Sequence, residues 1–315
     1  MTRRSAPGAV AVAAVRADAD RAGARLCRLI DEAPLVVEVA EVGRFVLMWT
    51  PPAEAAEAGE PAGFVPRDGW LVDGDAREAI ALAAGFAFTE GLFDRVDELE
   101  SIARCAQQPD RVRIVLGAAA LARARWRQAG PLPAARVVRS SCGACGSDAI
   151  DHLLQGVRPV EAGTQLAVAA LAALAETMEH RQPLRACTGA AHGALLFDPG
   201  GRPLRVAEDL GRHNALDKVI GRALLDGLPL EGGGVLLSSR LSFEMVAKAA
   251  RARLAIVAGV SAPSALAVRT AHAQGITLCG WLRDGQVTVY THPRRITVGA
   301  ADRADAVHGA PLPAA

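Results

Sequence analysis

The sequence predicts an α/β fold in which a partly parallel sheet is covered by helices on both faces. In the second half, short apolar runs rich in Val, Ile and Leu alternate with helical patterns of about ten residues, which is typical of strands buried on both sides. With 315 residues, 51% of them hydrophobic, the chain can bury one large core or two modest ones. Hairpin-like strands in the first half predict a smaller α+β region there.

The composition narrows the classes of partner. There are 35 basic and 34 acidic residues, which gives a formal net charge of +1. Proteins that bind duplex nucleic acid normally carry a strong basic excess, so we expect no nucleic-acid partner. Six cysteines in a chain of this length do not form a disulfide framework, and they predict a reducing, cytoplasmic location. No apolar run reaches the roughly 18 residues of a membrane span, so we expect no membrane partner.

The start of the chain shows few regular patterns. Residues 1–30 hold only a weak Ala/Val stretch that soon meets Arg16, and we expect a disordered tail there. A smaller N-terminal α+β region follows over 31–133. It opens at 35–48 with β-branched runs broken by a glycine, which predict a hairpin. Residues 51–74 combine Pro, Gly, Glu and Ala without periodicity and predict a loop or insertion.

Two helices and a strand are predicted in the rest of this region. Apolar positions recur with helical spacing over 76–91, where Asp75 can cap the first turn. Residues 112–116 read as a short strand. A second helix is predicted over 118–128, ending before Gly130.

The α/β domain is predicted over residues 134–298. It begins with a long helix, rich in Ala and Leu, over 164–180. The patterns that follow predict strands at 193–197, 234–238, 254–257, 276–278 and 287–291, and helices at 215–225, 242–252 and 262–272. Residues 299–315 predict a second disordered tail.

The loop SSCGACG holds two thiols, Cys142 and Cys145, among glycines and other small residues. Such a loop can bend sharply and expose either sulfur. The surrounding segment 111–147 has seven arginines and no acidic residue. A positive environment favours the thiolate, which is the nucleophilic form of cysteine. We therefore predict reactive sulfur chemistry in this loop.

Other uses of the two thiols stay open at this point. Structural zinc needs four ligands, and Cys187, His192 or Cys279 would have to complete the set. A dithiol redox pair is a second alternative. Deaminase chemistry is not expected, because its H-x-E motif would need glutamate at Ala194.

Polar residues are dense in the segment EDLGRHNALDK. It contains the only asparagine of the chain, Asn214, and one of its two lysines, Lys218. If a helix begins near Arg212, then His213 and Asp217 share one helix face. Because the chain otherwise uses arginine for its cations, a retained lysine suggests a need for a compact ammonium. These features favour a binding site over a merely solvated helix face.

A second polar segment, SSRLSFE, follows the strand predicted at 234–238. It brings Arg240, Ser242 and Glu244 to the start of a helix. Ligands bind where the strands of open α/β sheets end, and helix N-termini attract phosphate. The glycine run GGGV precedes a strand, so neither the Rossmann nor the Walker phosphate loop is present.

Six motifs of this chain follow the order seen in one known family. They are SSCGACG, TGAAHGALLF, EDLGRHNALDKVIG, SSRLSFEMVAKAA, SAPSALAV and GITLCGWLRDG with its VYTHPRR ending. Together they resemble the formate dehydrogenase accessory sulfurtransferase family, FdhD, over residues 135–295. FTEGLF at 88–93 and the hairpin before it extend the match to residue 35.

The resemblance implies a cytidine-deaminase-like, three-layer α/β/α C-terminal domain in a cytoplasmic protein that is usually a homodimer. Proteins of this family take persulfide sulfur from a cysteine desulfurase and pass it to Mo-bis(molybdopterin guanine dinucleotide). The sulfurated cofactor then enters the catalytic subunit of formate dehydrogenase. By position, Cys142 carries the persulfide and Cys145 assists or resolves it. The cofactor is a bound substrate, and we expect no permanently bound metal.

The resemblance also implies where the cofactor binds. The family's cofactor-binding stretch falls on Trp281, Leu282, Arg283, Asp284, Gly285 and Gln286. We expect the two polar segments to line the nucleotide pocket through Arg212, His213, Asn214, Lys218, Arg240 and Ser242. Of these, Lys218 and Arg240 are expected nearest the phosphates. An alternative is a chaperone that only binds the cofactor and uses Cys142 and Cys145 as a thiol–disulfide switch.

Overall fold

The computed structural model describes residues 6–51, 63–65, 69–71, 76–105, 107–128 and 154–298. Its strands are β1 (Ala9–Ala17), β2 (Ala22–Ile30), β3 (Ala33–Val39), β4 (Gly43–Trp49), β5 (Gly63–Val65), β6 (Gly69–Leu71), β7 (Leu99–Arg104), β8 (Arg111–Leu116), β9 (Leu166–Ala167), β10 (His192–Phe197), β11 (Pro203–Asp209), β12 (Gly234–Leu237), β13 (Ile256–Gly259), β14 (Thr277–Arg283), β15 (Gln286–Val289) and β16 (Ile296–Thr297). Its helices are α1 (Ala76–Thr89), α2 (Ala118–Gln128), α3 (Val168–His180), α4 (Pro183–Thr188), α5 (Arg212–Leu225), α6 (Phe243–Arg251) and α7 (Ala265–Ala273).

The N-terminal region is built on a six-stranded sheet in the order β4-β3-β8-β7-β5-β6. In β3, Leu35, Val37 and Val39 alternate with more exposed residues and enter the core, as the period of two in a half-buried strand requires. The hairpin predicted at 35–48 and the strand predicted at 112–116 are confirmed as β3–β4 and β8. The predicted loop at 51–74 contains two short strands, β5 and β6.

Residues 9–30 correct the prediction of a disordered N-terminal tail. They form an antiparallel hairpin, β1–β2, paired from Ala9–Ile30 to Ala17–Ala22. The carboxylate of Asp18 accepts hydrogen bonds from the N–H groups of Asp20 and Arg21 at 3.0 and 2.9 Å, which stabilises the turn. Most side chains of both strands are exposed. Without a buried face, the strands lack the apolar/polar alternation by which a sequence pattern is detected.

The C-terminal region contains the second six-stranded sheet, in the order β11-β10-β12-β13-β14-β15. Strands β11, β12, β13 and β14 all run in the same direction. Strand β10, which lies between β11 and β12, is antiparallel to both of them. Helices α5, α6 and α7 connect successive strands of this parallel set. Right-handed crossovers in one direction place all three helices on one face of the sheet. The predicted α/β class with a partly parallel sheet is therefore confirmed.

Every helix predicted from the sequence has a counterpart in the structure, and α4 is an additional helix that was not predicted. Helix α2 has the predicted bounds, and α1 lies within the predicted 76–91. The helix predicted over 164–180 begins only at Val168. The preceding residues are extended because Thr164 Oγ1 donates to the carbonyl of Gly232 at 2.6 Å and β9 pairs with β16. Tertiary contacts override helix propensity there.

Helices α1 and α5 join the two regions into one core. They cross at Gly85 and Gly221, where an added Cβ would overlap the backbone oxygens of Asp217 and Ala81 respectively. The domain boundary predicted between residues 133 and 134, the cap at Asp75 and the tail at 299–315 lie outside the described residues. No helix in the described part of the chain is long and apolar enough to cross a bilayer.

Candidate functional site

The parallel strands of the C-terminal sheet all end at one edge, which we call the carboxyl edge. It comprises the C-terminal ends of β11, β12, β13 and β14, the loops that follow these strands, and the first residue of the antiparallel strand β10. Trp281 N donates to Ser261 O at 3.3 Å, which links the end of β14 to the loop after β13. The predicted segments EDLGRHNALDK, SSRLSFE and Trp281–Gln286 therefore all lie along the same edge of the sheet, where open α/β folds bind ligands.

A hydrogen bond joins the first turns of α5 and α6 at this edge. His213 Nε2 and Glu244 Oε2 are 2.7 Å apart, and both side chains are mostly buried. The hydrogen bond to His213 is the main reason that the pKa of Glu244 is lowered, and it outweighs the opposing effect of burial. His213 is thus fixed against α6, on the same face of α5 that carries Asp217.

Two of the three helices that start at this edge lack a side-chain cap. No side chain caps the first turn of α5, which follows Gly211, and the buried hydroxyl of Ser242 has no hydrogen-bond partner before α6. By contrast, Ser264 caps α7 by accepting a hydrogen bond from Ala267 N at 3.1 Å. The first turns of α5 and α6 therefore retain N–H groups and a positive dipole end that an anion can use.

The segment Trp281–Gln286 forms a β-hairpin at the end of the same edge. Asp284 and Gly285 have φ angles of 52° and 72°, as the central residues of a type I′ turn require. The ring of Trp281 is 41% exposed, and the Arg283 guanidinium lies 5.2 Å from the ring centroid. Leu282 is buried and anchors the strand. The cation therefore lies over one face of an aromatic ring that is otherwise partly exposed to solvent.

Lys218 and Asn214 lie beneath the carboxyl edge. Lys218 Nζ contacts Asp209 Oδ2 at 2.8 Å and donates to the carbonyl of Glu208 at 3.1 Å. Asn214 Nδ2 donates to Asp209 Oδ1 at 2.9 Å and to the carbonyl of Met48 at 2.7 Å. Both side chains are buried and engaged by protein groups. Their place in the structure suits positioning of the loop at Asp209 better than contact with a phosphate.

The second lysine of the chain, Lys248, is also engaged internally. Its ammonium lies 2.8 Å from Asp217 Oδ2 and 2.8 Å from the hydroxyl of Thr89, which itself donates to Asp217. This buried cluster ties α1, α5 and α6 together. Both lysines therefore mark buried ion pairs that fix helices rather than free cations at the carboxyl edge.

His192, at the first position of β10, is absent from the predicted cofactor-binding set although it lies at the carboxyl edge. It pairs with Asp209 across the sheet, and its Nδ1 is buried without a hydrogen-bond partner. Burial lowers the pKa of His192, and the nearby guanidinium groups of Arg212, Arg185 and Arg240 lower it further. The motif TGAAHGALLF, which places a histidine at a strand end, is the signal that could have identified it.

The predicted sulfur chemistry lies outside the described residues, as do Cys142 and Cys145. Of the described cysteines, Cys187 and Cys279 are buried. Burial raises the pKa of the Cys279 thiol to about 12, so this thiol stays protonated and unreactive near neutral pH. No three His, Cys, Asp or Glu side chains converge as metal ligands in the described part of the chain. The zinc alternative needs Cys142 and Cys145 and lies outside the described residues.

Two open clefts contain almost none of the predicted cofactor residues. One, of about 570 Å³, lies beside His272 and His292 and contains none of them. The other, of about 610 Å³, lies beside Arg205 and Glu208 and includes only Lys218 of the predicted set. Cavity volume alone therefore does not identify the carboxyl edge; the convergence of its side chains does.

The sequence of the chain matches that of a known protein family. The FdhD/NarQ family model matches residues 75–297, and the chain belongs to this family. The sulfur carrier protein FdhD of Xanthomonas axonopodis pv. citri is 38% identical over 229 residues, which cover 70% of this chain and 76% of the relative. The sulfur carrier protein FdhD of Anaeromyxobacter dehalogenans is 39% identical over 225 residues, covering 68% and 78%. The family resemblance predicted from the motifs is thereby confirmed.

A solved structure shares the fold. The crystal structure described as that of a formate dehydrogenase accessory protein from Desulfotalea psychrophila aligns with a TM-score of 0.68. The alignment covers 92% of this chain and all of the other, at 22% sequence identity.

Proposed function

We propose that this protein is a sulfur carrier. It accepts persulfide sulfur from a cysteine desulfurase on Cys142 and delivers it to Mo-bis(molybdopterin guanine dinucleotide), bound as a substrate, before that cofactor enters the catalytic subunit of formate dehydrogenase. Family membership and relatives named as sulfur carrier proteins support the proposal. The structural observation that supports it is the position of the predicted cofactor segments along the carboxyl edge, where His213 contacts Glu244 and two helix N-termini lack a side-chain cap.

The two cysteines of the loop SSCGACG supply the nucleophiles for sulfur uptake and for sulfur delivery. The Cys142 thiolate attacks the terminal sulfur of the desulfurase persulfide, and the desulfurase cysteine leaves as a thiolate. For delivery, the Cys145 thiolate attacks Cys142 Sγ and the S–S bond of the persulfide breaks. The terminal sulfur takes a proton from solvent and leaves as hydrosulfide, which replaces an existing ligand of the bound substrate. The sulfane sulfur gains two electrons, and the two cysteines lose them by forming a disulfide. A dithiol reductant then restores the pair.

The carboxyl edge supplies binding and orientation in this proposal. Phosphate groups of the dinucleotide suit the open first turns of α5 and α6, and the exposed face of Trp281 suits stacking with a planar heterocycle. His213 is held by Glu244 and keeps the two helix starts in fixed register. We also propose a cytoplasmic homodimer whose C-terminal domain has the deaminase-like three-layer arrangement.

Intact mass after incubation with a cysteine desulfurase and cysteine tests the carrier function. We expect the parent protein to gain about one sulfur atom in a form removed by reductant. Cys145→Ala should still gain it and Cys142→Ala should not. A parent that gains no sulfur, but loses about two hydrogens on oxidation, would support the thiol–disulfide switch instead.

A further inference from the structure

We infer that the cleft beside His272 and His292 binds a small aromatic anion, meaning a planar ring that carries a carboxylate or phosphate group. The cleft has a volume of about 570 Å³, within the roughly 300–1,000 Å³ of typical small-molecule sites. It lies where β14 begins, because Thr277 Oγ1 donates to the carbonyl of His292 at 2.9 Å. Trp281 at the carboxyl edge is further along β14, about 13 Å away in an extended strand. The inference therefore concerns a separate site and is independent of the proposed function.

Two stacked imidazoles form a flat wall of this cleft. The ring centroids of His272 and His292 are 5.3 Å apart, with 21° between the ring planes. His292 Nε2 donates to the backbone carbonyl of His272 at 3.0 Å, which fixes the ring of His292 in the stack. Tyr290, the only tyrosine of the chain, also lines the cleft. Flat aromatic surfaces of this kind favour a planar ligand through offset stacking.

The backbone at His292 is strained where it presents this ring. Its φ and ψ angles are 46° and 57°, in the left-handed region that residues other than glycine seldom adopt. Hydrogen bonds hold the segment in place, since Thr291 Oγ1 accepts from Leu278 N at 2.9 Å and donates to the carbonyl of Ile276 at 2.6 Å. Strained residues that are held by their surroundings cluster at ligand sites. The strain at His292 is a second observation that supports a binding role.

The charges of the cleft favour an anion. Arg294 and Arg295 line it, and no aspartate or glutamate is present among the described residues of the lining. The Arg295 guanidinium donates to the backbone carbonyls of Ala162 and Gly275 at 3.0 and 2.6 Å, which do not neutralise its charge. Glu161, which precedes Ala162, is exposed and forms no ion pair with other described residues. The cleft therefore carries positive charge without a carboxylate partner.

Two side chains of the lining are available to bind the anionic group. Arg294 is exposed, and its guanidinium has no hydrogen bond or ion pair in the described part of the chain. His272 is exposed too, and its ring nitrogens bond to none of the described groups. Guanidinium groups bind carboxylate and phosphate through paired N–H bonds, and an imidazole can add one more donor.

The combination of these groups selects a ring that carries charge. A small inorganic anion would leave the aromatic wall uncovered, and a neutral ring would leave the guanidinium of Arg294 without a partner. At Gly163, which also lines the cleft, nothing lies within 4 Å of the position that a Cβ would take. This side of the cleft is therefore open to a ring that stacks on the imidazoles.

NMR titration of the full chain with benzoate, phenyl phosphate, benzamide and inorganic phosphate tests the site. We expect benzoate or phenyl phosphate to bind at least about tenfold more tightly than benzamide or inorganic phosphate. Arg294→Ala should weaken this binding at least about tenfold and His272→Ala severalfold, and Arg294→Lys should recover part of the loss. Arg269→Ala is the matched control, because Arg269 is an exposed arginine of α7 outside the cleft lining.

The outcomes decide the inference separately from the carrier function. Absence of binding of both aromatic anions to the parent, or equal binding by the parent and Arg294→Ala, would overturn it. Benzamide that binds as tightly as benzoate, or inorganic phosphate that binds as tightly as phenyl phosphate, would overturn it as well. A preference for benzoate over phenyl phosphate, or the reverse, supports the site and shows whether carboxylates or phosphates are its source of ligand. Sulfur uptake on Cys142 should persist in all these variants, and its absence in the parent would contradict the carrier function alone.

Discussion

Lys218 and Asp209 form a buried ion pair, with 2.8 Å between Nζ and Oδ2 and side chains only 2% and 0% exposed. Asp209 Oδ2 also accepts a hydrogen bond from Thr50 N at 3.1 Å. The pair therefore connects α5, the end of β11 and the residue after β4. It holds the N-terminal sheet against the base of the carboxyl edge.

Breaking this pair should be strongly destabilising. Lys218→Met leaves the Asp209 carboxylate buried without its cation, and we expect a loss of about 3–5 kcal/mol in the free energy of unfolding. Urea denaturation measures it. Arg202→Ala, which removes an ion pair whose arginine is 77% exposed, should cost no more than about 1 kcal/mol. Similar losses in the two variants would show that the burial of Lys218 does not increase its contribution to the free energy of unfolding.

The crossing of α1 and α5 should tolerate no side chain at its closest point. Gly85→Ala and Gly221→Ala each place a methyl group against backbone, so we expect a loss of about 1–3 kcal/mol or more. Gly43→Ala is the control, because nothing lies within 4 Å of its Cβ position. Thermal unfolding of the three variants compares them, and an unchanged Gly221→Ala would contradict the close crossing.

Stability should depend on pH through His192. Its folded-state pKa is lowered, by burial first and then by Arg212, Arg185 and Arg240, with Asp209 opposing. The unfolded chain therefore binds a proton more readily, so this contribution to stability is present at neutral pH. It is lost as pH falls through the unfolded value of about 6.5.

The measurement is urea unfolding of the parent and of His192→Asn between pH 7.5 and pH 5.5. We expect the parent to lose more stability on acidification than the variant does. His180→Asn, at the exposed end of α3, should keep the parent's pH dependence. Parallel pH profiles for the parent and His192→Asn would contradict an uncharged, partly buried His192 ring.

The hairpin β1–β2 should contribute little through its exposed apolar side chains. Leu26 is 68% exposed, and we expect Leu26→Ala to change the free energy of unfolding by no more than about 0.5 kcal/mol. Leu195, fully buried in β10, should cost about 2–5 kcal/mol when replaced by alanine. Chemical denaturation distinguishes the two. A large loss of unfolding free energy in Leu26→Ala would show that the Leu26 side chain packs against another part of the protein.

The sequence predicted what depends on local patterns. Helix α2 and the hairpin β3–β4 were predictable because their capping residues, glycines and apolar spacing act within a few residues. The two polar segments EDLGRHNALDK and SSRLSFE share one edge because each follows a strand of the parallel set, and parallel strands end at one edge. The hairpin β1–β2 was missed because it has no buried face to impose alternation.

The roles of individual site residues depend on long-range contacts. The rarity of lysine in the chain drew attention to Lys218. It gave no indication that the carboxylate of Asp209 and the backbone carbonyl of Glu208 would bind the ammonium group. The lowered pKa of His192 comes from burial first and then from the guanidinium groups of Arg212, Arg185 and Arg240. Its spacing in the chain carries no information about those neighbours.

The turn at Asp284–Gly285 has a consequence for how fast and how tightly a ligand can associate. Its two residues adopt left-handed backbone conformations, and the flanking Arg283 and Gln286 are paired. The backbone of the hairpin that presents Trp281 is therefore constrained by its turn and by strand pairing. The backbone entropy of this segment is lost when the protein folds, so a planar ligand that stacks there encounters a preorganised surface.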